Sequence, residues 1–270
     1  LMPILQKLKF EHTVDSSKAF SEWFRERKFD KNEVEIFSLD FEKLFPSIPN
    51  QELIELLLED LCVKNNAHQM LPRFRNENGR LLPVIPRHIL KIIFQKCFSY
   101  FTAFEVKNKF FRQLEGLSMG ESFSPILANF FLSKMEEKIV QDLKSEGKLV
   151  DYKRYADDVI LIIKKGHQEQ VAERFLNIHE KLKFTIELPQ DGSLKFLDFQ
   201  IYQNDSSQFF ELKSGPKQSV PIHMNKGIAP KELKKGLIIS DFIRSNMKNS
   251  TDVELKKDHN IIKKKYIAAG

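Results

Sequence analysis

Along the chain the apolar positions alternate between a helical and a strand period, and the changes of period mark out the elements. Ser16 to Phe29 sets Phe20, Trp23 and Phe24 on one helical face, so a helix is predicted there. "EVEIFSLDF", Glu33 to Phe41, alternates and then turns apolar, which predicts a strand. Pro49-Asn50 closes that unit, and Asn50 is placed to cap "QELIELLLEDL", a helix with Leu53, Leu56, Leu57 and Leu61 facing inward. Arg73 to Pro86 is polar and punctuated by Gly and Pro, hence a loop. "RHILKIIFQKCFSYF" returns to the helical period at Ile89, Ile92, Ile93 and Phe101, and "FEVKNKFFRQ" predicts a β-hairpin turning at Lys107-Asn108.

"GLSMGESFSP" is a loop of small residues, after which Pro125 can sit in the first turn of a long helix through "ILANFFLSKMEEKIVQDL". "VDYKRYADDVILIIKK" is two short β runs around Ala156-Asp157-Asp158, a hairpin. "QEQVAERFLNIHEKL" is an amphipathic helix. "KFTIEL", "SLKFLDFQIYQ" and "QFFELK" are strands, separated by turns at Asp191-Gly192 and Asn204-Asp205. The remainder is Lys-rich and mostly helical. From Glu33 to Glu187 the order β-α-β-β-α-β is that of a ferredoxin-like split sheet, antiparallel, with helices on one face. The predicted class is therefore α+β.

Composition narrows this picture. A chain of 270 residues can bury a core as one large domain or two small ones. Its 24 phenylalanines and single tryptophan make Phe the main core aromatic. Cys62 and Cys97 lie far apart without metal-ligand spacing and read as core thiols of a reducing, intracellular compartment. No apolar run reaches the ~18 residues of a membrane span, so no membrane partner is expected. The start at Leu1, without a signal peptide, suggests a fragment. Charge is uneven: residues 213–270 carry 13 Lys and Arg against 5 Asp and Glu, whereas the first 212 residues are slightly acidic. Such asymmetry points the C-terminal part toward a polyanion, the alternative being a solvated lysine-rich tail.

The candidate chemistry lies in carboxylates. In the split arrangement the first strand runs beside the hairpin, so Asp40 would meet the Asp157-Asp158 turn. Left bare, three carboxylates repel one another, and divalent cations offset that repulsion. Hard oxygen donors select Mg²⁺ or Mn²⁺, and Mg²⁺ takes one or two carboxylates plus substrate phosphates. Two such ions about 3.5–4 Å apart clamp an in-line phosphoryl displacement. Taken alone, Asp157-Asp158 reads first as a polar turn, because Asp is common in turns.

Four stretches, in order, resemble the reverse transcriptase motifs A, B, C and E: "FSLDFEKLFPSIP" (Phe37–Pro49), "GLSMGESFSPILANFFLSKMEE" (Gly116–Glu137), "YADD" (Tyr155–Asp158) and "SLKFLDFQI" (Ser193–Ile201). The first, with Met119-Gly120 in the second and "FLD" in the last, is most similar to Penelope-like retroelements. The resemblance implies a polymerase palm with partial fingers over residues 1–212 and a basic, largely helical thumb over 213–270. It implies RNA-directed DNA polymerase activity on an RNA template, a DNA primer and deoxynucleoside triphosphates, with two Mg²⁺ ions. Asp40, Asp157 and Asp158 are then the catalytic carboxylates and metal ligands, with the Phe41 carbonyl completing one shell. Asp158 could equally shape the turn.

The same resemblance places Phe45, five residues after Asp40, at the steric gate against a ribose 2′-hydroxyl; an ordinary core phenylalanine is the alternative. Met119 and Gly120 would contact the incoming nucleotide, glycine allowing close backbone approach. Ser124 reads as a helix N-cap. Tyr155, Phe196, Leu197 and Asp198 would hold the primer. Lys183 or Lys181 would protonate pyrophosphate, or be a plain surface lysine. Lys226, Lys231, Lys234, Lys235 and Arg244 would lie along the template–primer duplex as phosphate contacts. The upstream fingers motifs are not found, so this chain itself is expected to be weak or inactive. The alternatives are a decayed palm that only binds nucleic acid, or a telomerase-like or group II intron-type enzyme. A eukaryotic retroelement enzyme would work in the nucleus.

Overall fold

The computed structural model describes residues 5, 8, 10–64, 69–70, 85–100, 103–215 and 230–268. The elements in chain order are α1 (Ser17–Arg27), β1 (Val34–Glu42), α2 (Leu44–Ser47), α3 (Asn50–Leu61), β2 (Val63–Lys64), β3 (Gln69–Met70), α4 (Arg87–Tyr100), β4 (Ala103–Val106) and β5 (Lys109–Arg112). They continue as α5 (Ser124–Ser145), β6 (Leu149–Tyr155), β7 (Asp158–Lys164), α6 (Gln168–Leu176), β8 (Lys183–Glu187), β9 (Ser193–Phe196), β10 (Phe199–Gln203), β11 (Phe210–Ser214), α7 (Lys231–Lys248) and α8 (Asp252–Ala268). The four-stranded sheet has the order β6-β7-β1-β8, the split order predicted from the sequence. A three-stranded antiparallel sheet has the order β11-β10-β9.

Two compact units share the chain, one of residues 1–13, 40–147 and 169–185, the other of 14–39, 148–168 and 186–270. This division does not fall at residue 212. The C-terminal helices belong with the three-stranded sheet, and hydrogen bonds tie the segment that joins them to it: Ser250 N–H donates to Leu212 O at 2.8 Å, and Leu212 N–H to Ser250 Oγ at 3.0 Å.

The core of the second unit is aromatic. Phe20 packs on Phe196 at 4.8 Å and on Phe199 at 5.6 Å, and Trp23 and Phe24 both meet Phe29. Each such ring pair adds about 0.5–1.5 kcal/mol to the burial of its area. Ser16 starts α1 by accepting from Ala19 N–H, and Lys28, in the left-handed region, stops it before Phe29. Strand β7 carries Val159 to Ile163 fully buried, as a run without polar interruption requires of a strand covered on both faces.

In the first unit α3 packs against α4 and α5. The buried face of α4 is Leu90, Phe94 and Phe98, whereas Ile89 and Ile92 are exposed, one step round the helix from the predicted face. Phe101 and most of the predicted loop Arg73–Pro86 lie outside the described residues. Pro49 takes the cap position of α3 and Asn50 is its first helical residue, so the Asn50 side chain makes no capping bond. Similarly, Phe123 precedes α5 and Ser124 Oγ donates to Ser118 O at 2.7 Å instead of capping. Helix α6 ends at Leu176, earlier than its amphipathic pattern. "SLKFLDFQIYQ" is not one strand: it folds back at Leu197-Asp198 into β9 and β10, with Phe196 opposite Phe199.

Candidate active site

In the second unit the β6–β7 hairpin turns through only two residues. Tyr155 pairs with Asp158, and Ala156-Asp157 forms the tip. Ala156 has φ 53°, a left-handed conformation that glycine adopts without cost and alanine does not. The turn is held from beneath. Arg154 is completely buried and its Nη1 donates to Ala156 O at 3.2 Å, while the Arg154 carbonyl accepts from Val14 N–H at 2.9 Å. Exposed Asp157 in the turn thus directly precedes the buried strand β7, which opens with half-buried Asp158. Asp157 makes no ion pair or hydrogen bond with another described residue. Tyr155 stands 36% exposed beside it.

The second hairpin of this unit presents a different tip. Phe196 is buried against Phe20 and Leu197, at φ 52°, is half-buried on the same core, so what the β9–β10 turn offers to solvent is Asp198. Asp198 pairs with Lys248 at 3.3 Å and accepts from Ser17 Oγ at 3.3 Å. Its carbonyl accepts from Gly215 N–H at 2.9 Å, and a Cβ on Gly215 would stand 3.0 Å from that oxygen. Of the basic residues predicted to follow a duplex, Lys235 and Arg244 are exposed on α7 and Lys234 is half-buried. Lys231 begins that helix, and Lys226 lies outside the described residues. The end of α7 is anchored by Arg25 Nη2, which donates to Met247 O at 2.6 Å and Asn249 O at 3.0 Å.

The first unit holds the other set. Asp40 is exposed between buried Leu39 and Phe41, as strand alternation places it. Phe41 packs against Phe184 with tilted rings, centroids 4.0 Å apart, which holds the backbone whose carbonyl was predicted as a ligand. Phe45 is half-buried, and its carbonyl accepts from Leu117 N–H at 2.8 Å. One residue further, a Cβ on Gly116 would lie 2.5 Å from the Pro46 backbone, and Gly116 has φ +83°. The Phe45 turn and the "GLSMG" loop are therefore pressed together backbone to backbone, a contact only glycine permits. Sequence reasoning missed Gly116 as the residue that sets this contact; two glycines four residues apart around a small-residue loop were the available signal. Met119 is 77% exposed, and Gly120, at φ +100°, has open space around its Cα. Lys181 and Lys183 are both exposed.

Among the described residues no group of three or more His, Cys, Asp or Glu side chains is close enough to hold a metal ion. The donors at the hairpin tip are nevertheless of the right kind for Mg²⁺: carboxylate oxygens, accessible, with no soft ligand beside them, on a cation that relies on few protein ligands and on substrate phosphates. Among the described residues no helix is long and apolar enough to cross a membrane.

A family profile described as reverse transcriptase (RNA-dependent DNA polymerase) matches residues 10–188. No curated protein matches the chain. Among solved structures, it is similar to telomerase from Candida albicans in complex with a TWJ fragment of telomeric RNA, with TM-score 0.65 and 14% identity over 99% of this chain and 47% of that one. It is also similar to apo telomerase from Candida tropicalis truncated from its C-terminal domain, with TM-score 0.54 and 16% identity over 76% of this chain and 41% of the other. For the apo Candida tropicalis telomerase the TM-score is 0.52 and the identity 13%, over 96% and 46%. The chain thus spans about half the length of the structures it matches, and at these identities the likeness establishes a common fold.

Proposed function

Because the chain belongs to the reverse transcriptase (RNA-dependent DNA polymerase) family, we propose that it is the palm-bearing part of an RNA-directed DNA polymerase. It would extend a DNA primer with deoxynucleoside triphosphates on an RNA template. The observation that carries this reading is the exposed Asp157 at a tip propped by buried Arg154, inside the family-matched segment. A carboxylate displayed on a rigid, buried strand is what a metal platform requires.

Asp40, Asp157 and Asp158, with the Phe41 carbonyl, would hold two Mg²⁺ ions; when bound, these supply a more acidic primer hydroxyl and neutralise the triphosphate. The chain's own residues do the remaining work. Phe45, locked through its carbonyl to the Leu117 amide, presents a ring where a 2′-hydroxyl would stand. Met119 and Gly120 form the open floor for the nucleotide, and Lys183 is the candidate proton donor to pyrophosphate. Tyr155 and the Phe196-Leu197-Asp198 turn position the primer, with Phe196 acting from within the core. Lys226, Lys231, Lys234, Lys235 and Arg244 of the thumb, residues 213–270, would bind duplex phosphates, and residues 1–212 would form the palm and part of the fingers. Motif wording favours a Penelope-like retrotransposon as the source, with a nuclear site of action in a eukaryotic host.

Primer extension on an RNA template with Mg²⁺ tests the activity. Incorporation is expected to fall by ~10²–10³-fold in Asp157→Asn, the scale of losing one preorganised electrostatic group. An unchanged rate would overturn the assignment. Fe²⁺ and peroxide give an independent readout: backbone cleavage is expected near residues 40 and 157 of the wild type and not in Asp157→Asn.

A further inference from the structure

The β4–β5 hairpin carries aromatic rings in solvent. Phe110 is 82% exposed, and Phe104 and Phe111, opposite each other across the strands, stack at 5.8 Å while staying 51% and 47% exposed. Exposed rings of this size on a short two-stranded ribbon mark an interaction surface. The hairpin is also basic: Lys107, Lys109 and Arg112 stand against one carboxylate, Glu105. Its tip is set by Lys107 and Asn108, both left-handed, which gives the ribbon its native twist.

Where β5 runs on into Gln113, a cleft of about 200 Å³ opens in the same unit. Asn50, Gln51, Gln95, Phe98, Arg112 and Gln113 line it. The Asn50 Oδ1 is buried and accepts no hydrogen bond from a described residue. This is the side chain that Pro49 displaced from capping α3. A buried carbonyl oxygen without a donor is destabilising.

We propose that the hairpin and this cleft form a binding site for single-stranded nucleic acid. Bases stack on Phe110 and on the Phe104–Phe111 pair, and phosphates lie against Lys107, Lys109 and Arg112. One base enters the cleft beside Arg112 and Gln113. Exposed rings interleaved with cations are the platform that unpaired strands use, because every base has a π-face while a duplex hides its own. A second copy of this chain fits less well, since two basic hairpins repel. The site goes beyond the polymerase reading and does not depend on it.

Fluorescence anisotropy with the whole chain tests this, using a labelled 12-nucleotide RNA and a blunt duplex of the same sequence. Phe110→Ala with Phe111→Ala should weaken single-strand binding at least about tenfold and leave duplex binding unchanged. Circular dichroism should report an unaltered fold, as both rings are solvent-exposed. Unchanged single-strand affinity in the double variant would overturn the site, as would an equal loss for duplex. So would a light-scattering shift from dimer to monomer with RNA binding intact, which would identify a self-association face. Asp157→Asn should leave this binding untouched, so failure of the site and failure of the polymerase reading are separable.

Discussion

Two hairpin tips in the same unit share a backbone and differ in what surrounds their aspartate. At one, Ala156 at φ 53° precedes Asp157; at the other, Leu197 at φ 52° precedes Asp198. Both are two-residue turns closed by a cross-strand pair, Tyr155 with Asp158 and Phe196 with Phe199. Asp198 is engaged by Lys248 and Ser17 and serves to fasten α7 and α1 to the turn. Asp157 has no such partner among the described residues, and its support comes from beneath, through Arg154 and the backbone. Local conformation therefore does not separate an engaged carboxylate from one left open to solvent. The neighbours of the carboxylate do.

The largest effect expected from this contrast is on activity. Asp157→Asn should cost ~10²–10³-fold in primer extension, and Asp198→Asn should cost far less while weakening the α7 contact by less than about 1 kcal/mol, since Asp198 is mostly exposed. Equal losses in extension would erase the distinction between the tips.

A glycine turn sets the scale for backbone strain. Gly116→Ala should destabilise the fold by about 1–3 kcal/mol or more, because the new Cβ meets the Pro46 backbone as well as an unfavourable φ. Urea unfolding measures it, and a midpoint unchanged from wild type would contradict the contact.

A smaller change of opposite sign follows at the tips. Ala156→Gly and Leu197→Gly each relieve a left-handed residue, and for Ala156 the gain should be at most ~1 kcal/mol after the greater freedom of glycine when unfolded. The gain at Leu197 should be lower, because its partly buried side chain packs on the aromatic core. A larger gain at Leu197 would show that the two backbones are not equivalent.

A second engaged aspartate yields the smallest effect. Asp241 accepts from Lys265 Nζ at 3.0 Å and Tyr266 Oη at 2.9 Å, holding α8 to α7. Burial, then the hydrogen bond and charge of Asp241, push the Tyr266 phenol up to about 12. A raised phenol favours the protonated fold, so its contribution is complete below the ordinary tyrosine value near 10 and is lost as pH rises toward 12. Thermal unfolding between pH 9 and 12 should show a steeper decline in wild type than in Tyr266→Phe; parallel curves would refute the coupling.

Much of this was legible in the sequence. The element order, the split sheet and the turns at Lys107-Asn108 and Ala156-Asp157 follow from period and turn chemistry. The site was less so. Asn50 looked like a cap because the residue type is right, but Pro49 reaches extended backbone first and takes the position. "SLKFLDFQIYQ" looked like one strand because its apolar alternation runs through Leu197-Asp198 without a Gly or Pro; the bonds of Asp198 to Lys248, Ser17 and Gly215, all long-range, accompany the reversal. Gly116 was hidden for the same reason, since its constraint comes from Pro46, 70 residues earlier.

Phenylalanine fills this core so thoroughly that the one tryptophan acquires a particular value. Trp23 sits among Phe20, Phe24 and Phe29, with Lys153 of β6 over its ring at 5.7 Å. Its emission is thus a single-site optical signal of whether α1 is seated on the hairpin that ends in Asp157, readable without any label and without any substrate.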